Sequence, residues 1–149
     1  MADLFPLHGL RNLVVLLTLC GVAGAVRAAD QAWTRDHVSP GLQAQGREVS
    51  VSYGPGARSP AVPMGARISG VYASRDYEST ARISTRLCWG SGQGPCVPLQ
   101  GRSIETQAFD GRAAQGPLLL VHRVEHWGNG QPPVFVRGTV TVWFSIGQP

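Results

Sequence analysis

Glycine and proline punctuate this chain so densely that few stretches of twelve residues escape one, with 19 glycines and 11 prolines in 149 residues. Neither is tolerated cheaply inside an α-helix, so the fold must be built from short elements joined by turns. The runs between breakers carry strand patterns. Glu48–Tyr53 (EVSVSY) alternates, with Val49, Val51 and Tyr53 on one face and Ser50 and Ser52 on the other. Residues 67–73 (RISGVYA) are a second candidate. Residues 80–89 (TARISTRLCW) are the clearest, placing Ala81, Ile83, Thr85, Leu87 and Trp89 on one face and Arg82, Ser84, Arg86 and Cys88 on the other. Residues 96–99 form a short partner in which Pro98 marks an edge or an end. Residues 104–109, 118–127 and 134–144 complete a set of about seven strands. Such a set indicates an antiparallel sandwich or barrel, and the expected fold is all-β, a single antiparallel β-sandwich. The proline- and glycine-rich residues 53–64 are expected to bridge its two sheets, and Gly128-Asn129-Gly130 to form a turn. Residues 30–46 have little pattern beyond Trp33, which is expected to anchor them.

The N-terminus sets the compartment. Arg11 precedes an apolar run over residues 13–26, and Val26 and Ala28 stand three and one positions before a cut after Ala28. This is the layout of a secretory signal peptide over residues 1–28, leaving residues 29–149 as one domain. The run is shorter than the roughly 20 residues of a membrane span and carries Gly21 and Gly24. Cys20 follows Leu19 rather than a small residue, which argues against a lipoprotein signal. The expected location is the periplasm, with no stable membrane insertion after cleavage. Formal net charge is +4, spread along the chain without a cluster of arginines. A nucleic-acid surface shows a concentrated basic stripe, so no nucleic-acid partner is expected.

Export gives the cysteines a default chemistry. Cys88 and Cys96 remain after the signal is cut, an even number in an oxidising space, and are expected to form a disulfide. A loop of this size stabilises by on the order of 2.5 kcal/mol. The enclosed run Gly90-Ser91-Gly92-Gln93-Gly94 resembles a phosphate loop, but Pro95 and a strand follow where a helix should open. Ser91 has Trp89, not glycine, two positions before it, so it fails the nucleophile-elbow pattern. Residues 122–126 spell H-x-x-E-H, which on a helix would let His122, Glu125 and His126 build a zinc hydrolase site. Their flanks instead predict a strand, where residues four apart lie roughly 13 Å from each other. His122 and His126 are then half-exposed strand residues. No catalytic residue, cofactor or metal is expected. Trp89 at the mouth of the loop, with Tyr72 and Tyr77 flanking Arg75-Asp76, are either core rings or contacts for a partner.

Several of these segments together resemble the FlhE family of flagellar proteins. They are Ala32-Trp33, Ser69-Gly70-Val71, Arg86-Leu87-Cys88, Cys96-Val97-Pro98-Leu99-Gln100-Gly101, Phe109, and Val136-Arg137 followed by Val140 and Val142. The resemblance runs from about Trp33 to Phe144, and the R-L-C…C-V-x-L-x-G element is its most specific part. The loop between the cysteines departs from the family by being longer. The resemblance implies a small periplasmic β-sandwich without catalytic activity, acting beside the flagellar export apparatus. It implies partners among flagellar rod or export-gate proteins, and a role as a chaperone or in limiting proton leakage. A chaperone or adhesin-type module of another secretion system is the alternative within binding proteins.

Overall fold

The computed structural model describes residues 31–59 and 61–146, and the expected signal segment lies outside them. The alternating runs do form strands: β1 (Gln31–Val38), β2 (Glu48–Tyr53), β3 (Ala66–Asp76), β4 (Arg82–Trp89), β5 (Cys96–Pro98), β6 (Ser103–Thr106), β7 (Leu118–His126) and β8 (Arg137–Ile146). They build two antiparallel four-stranded sheets, one ordered β1-β8-β3-β6 and the other β2-β7-β4-β5. The all-β sandwich is therefore as expected, with eight strands among the described residues rather than about seven. Among the described residues no helix is long and apolar enough to cross a membrane.

The additional strand is β1, in the segment where the sequence shows little pattern. It pairs along its whole length with β8, from Gln31 opposite Phe144 to Val38 opposite Arg137. Of its side chains only Trp33 is fully buried, and the indole donates to the Ala114 carbonyl at 2.9 Å. Arg35 and His37 alternate with Trp33 but lie at the open side of the sandwich, so the buried face of this strand reads as polar. The last strand also begins later than residue 134. Val134 bridges Leu42, and the Ser39 amide donates to the Val136 carbonyl at 2.8 Å, so 134–136 pair with the β1–β2 connection.

The inner faces supply the core. Trp33, Phe109, Leu87, Leu118, Leu120, Val140, Val142 and Phe144 belong to one large cluster. Leu42, Ala81, Ile83, Val124, Val134 and Val136 form a second, smaller one. Residues 53–64 do carry the chain from one sheet to the other, since β2 and β3 lie in different sheets. Gly128 is left-handed (φ +58°), and the Gly130 amide donates to the Trp127 carbonyl at 2.8 Å, closing the expected turn.

Candidate functional site

Two features stand out: a stapled loop on the outside of one sheet, and a polar layer inside the sandwich. The staple follows from register. Cys88 and Cys96 are directly opposed in the β4–β5 ladder, and a disulfide joins them with Cα atoms 4.0 Å apart. The intervening loop folds back over the outer face of its own sheet. The Trp89 amide donates to the Pro95 carbonyl at 3.0 Å, and the Gly90 amide to the Pro117 carbonyl at 2.9 Å. Arg86 donates to the Gly92 carbonyl at 3.1 Å and grips both carboxylate oxygens of Glu48, at 2.5 and 2.9 Å. That guanidinium holds the Glu48 carboxyl below its ordinary range. Gly94 is required here, because a Cβ would strike the Trp89 carbonyl. The double substitution Cys88→Ala/Cys96→Ala should cost about 2.5 kcal/mol and lower the thermal midpoint by about 10 °C. An unchanged midpoint would contradict a stabilising role for the staple.

The polar layer is built by register as well. On β4, Thr85 stands between Ile83 and Leu87; on β7, His122 stands between Leu120 and Val124; on β8, Gly138 stands between Val136 and Val140. Thr85 pairs with His122 in one sheet, and Gly138 is flanked by His37 and Arg75 in the other. These two rows face each other and separate the two apolar clusters. Arg75 spans the gap: its guanidinium donates to Thr85 Oγ1 at 2.9 Å, to the Gly101 carbonyl at 3.0 Å and to the Ile83 carbonyl. His122 Nδ1 lies 2.9 Å from Thr85 Oγ1. Gly138 leaves room for the Tyr53 phenol, which occupies the space a Cβ would need. Among the described residues, Tyr53 Oη and His122 Nε2 are buried without a hydrogen-bond partner. Burial pushes His122 down to about 4, with the Arg75 charge adding to the effect. Burial likewise pushes the Tyr53 phenol up, and Asp36 adds to it.

His122 therefore corrects the expectation of a half-exposed residue: it is 0% exposed, because partners distant in sequence close over it. His126 is exposed at the end of the strand. Glu125 points to the opposite face from His122 and is bound there by Arg123 at 2.9 and 3.1 Å and by Ser84 at 2.6 Å. The H-x-x-E-H residues thus lie on a strand and divide between the interior and the outer surface. A general base must reach the proton it takes from a substrate, and the His122 ring is enclosed.

The three aromatic candidates occupy three different places. Trp89 is on the inner face, half-buried against the large cluster, with the Arg112 guanidinium 5.0 Å from its ring centroid. Tyr77 packs against the smaller cluster with Arg75 5.6 Å from its ring. Tyr72 faces outward on β3, opposite Thr141 of β8 and Glu105 of β6. They do not make one patch. The polar layer leaves only a trace in the sequence: in three strands a single polar or small residue interrupts the inner apolar row.

No family profile matches the chain, and no curated protein does either. Among solved structures, a crystal structure of FlhE is similar at a TM-score of 0.62 and 23% identity, covering 78% of this chain and 98% of that one. The sandwich is thus an FlhE-like fold. A virus-like particle of the extra small virus of the giant freshwater prawn Macrobrachium rosenbergii aligns at 17% identity over 95% of each chain, but its TM-score of 0.29 is too low to indicate a shared fold.

Proposed function

We propose that this chain is a periplasmic accessory protein of the flagellum, without catalytic activity, that binds rod or export-gate components. In that role it acts as a chaperone for them, limits proton leakage through the export channel, or does both. The observation that carries this reading is the FlhE-like fold, in which the R-L-C…C-V-x-L-x-G element falls on the stapled β4–β5 hairpin. The disulfide is consistent with an oxidising compartment, and so with export by the N-terminal segment. The described surface also suits recognition, with strand edges and half-exposed aromatic rings for a partner to meet.

The test is a deletion strain scored for swimming and inspected for filaments in the periplasm. Impaired swimming, with flagellar parts assembled in the wrong compartment, is expected and should be reversed by the intact gene. Normal swimming with no periplasmic filaments, in a strain whose neighbouring reading frames include no flagellar export gene, would favour a binding module of another secretion system.

A further inference from the structure

Four strands border the sandwich: β1 and β6 in one sheet, β2 and β5 in the other. A free edge presents unpaired N–H and C=O groups and templates another strand unless something blunts it. Three of these edges are blunted. β1 carries Arg35, Asp36 and His37, with Arg35 laid against Gly56. β5 is only three residues long and ends on Pro98. β6 is four residues long and carries Glu105.

The β2 edge differs. From Val49 to Tyr53 it has no charge and no proline, and it pairs without a bulge with residues 118–122 of β7. Among the described residues no backbone hydrogen bond reaches its other side. Val49 and Val51 point inward yet stay half-exposed, because no strand of their sheet lies beyond them. Two recesses adjoin this edge. One of about 400 Å³ is walled by Ser91, Gly92 and Gln93 of the stapled loop and floored by Glu48, Ser50 and Val121. The other, of about 340 Å³, lies beside Val49 against the β1–β2 connection. Side chains of an added strand alternate between faces, so neighbouring residues would meet different recesses. This is how strand addition gains selectivity beyond its main-chain bonds.

We infer that the free edge of β2 and the stapled loop form an acceptor site for an extended segment of another polypeptide. The segment presents an uncharged hydrogen-bonding side chain, such as glutamine or asparagine, to the recess over Ser50. Glu48 is already neutralised by Arg86, so the recess offers Ser50, Ser91 and Gln93 rather than net charge. A second copy of β2 would bring Glu48, Ser50 and Ser52 on that face: the serines are too short to fill the recess, and its Glu48 is already gripped by its own Arg86. The inference rests on the reading of the protein as a binding module and names the surface that binds.

The probe is a soluble ten-residue peptide alternating valine and threonine, with one central glutamine and lysines at both ends. It is titrated into isotope-labelled protein, and backbone amide shifts and hydrogen exchange are read by NMR. Saturable shifts confined to β2 and residues 91–93, with slowed exchange at alternate β2 amides, are expected. Ser52→Lys, which blunts the edge, and Ser50→Arg, which fills the recess, should each weaken binding at least tenfold without lowering the thermal midpoint. Silent β2 amides, shifts centred on Tyr72 or on the exposed Phe135, binding indifferent to both substitutions, or dimerisation through β2 that excludes the peptide would each overturn the site. The flagellar reading is tested separately by returning Ser52→Lys to the deletion strain. Peptide binding without a swimming defect on deletion removes the flagellar role and leaves the site. Absent peptide binding with a swimming defect that Ser52→Lys fully restores removes the site and leaves the role.

Discussion

Acidification from pH 7 to pH 4 should cost the sandwich about 3 kcal/mol through His122 alone. In the unfolded chain this imidazole has the ordinary value of 6.5, and in the fold burial holds it down to about 4. Above 6.5 it is neutral in both states and the stability is fully present. As pH falls through 6.5 toward 4, the unfolded chain takes up a proton that the folded one refuses, at about 1.4 kcal/mol per pH unit. Below 4 the fold is protonated too, and the loss stops growing. Glu48 and Glu125 are shifted the opposite way from the ordinary buried carboxyl, held down by Arg86 and Arg123, so any contribution from them is lost only at the acid end of the range. Urea denaturation at pH 7, 5.5 and 4.5 should show the decline, and His122→Leu should flatten it while Arg75 still bonds to Thr85. Equal slopes for the two proteins would refute the enclosed histidine.

Gly138→Ala should destabilise the protein by about 3 kcal/mol, a large effect for one methyl group. The added carbon would occupy the place of the Tyr53 phenol oxygen and press on Leu120, and neither can retreat because both are fully buried. The rescue is specific. Tyr53→Phe removes an oxygen that is buried without a partner, so alone it should be neutral or mildly stabilising. Combined with Gly138→Ala it should recover about 1 kcal/mol of the loss. Chemical denaturation of the four proteins reads this as a coupling, and strict additivity would mean that the phenol does not reach under β8.

Both effects come from a layer that was hard to see in the sequence, for a physical reason. The strand alternation of EVSVSY and TARISTRLCW is a local property of the pleat, so β2 and β4 could be read residue by residue. The disulfide follows from the expected compartment and the cysteine number, and the register places the two cysteines opposite each other. The environment of His122 is not local. Its burial depends on Arg75 reaching across from the other sheet and on Thr85 beside it, and no periodicity announces a contact between sheets. β1 was hidden for a related reason, since Arg35 and His37 occupy inward positions at an open side. The sequence places Phe109 at the end of a strand, whereas it is buried in the turn after β6. The glycine loop acquires a meaning only through its fold-back over Val121, where it walls a recess. The bareness of the β2 edge also depends on sheet order, which the sequence does not display.

The proposed meeting of a flagellar partner with the β2 edge is open to a direct test. A photo-crosslinking residue placed at Ser52, with the same residue at Ser74 on the outer face of the other sheet as control, tests it in living cells. The expected result is an adduct from Ser52 alone, identified by mass as a flagellar rod or export-gate subunit and lost when the flagellar export genes are deleted. An adduct from Ser74 instead, or one from Ser52 that persists unchanged without those genes, would contradict it.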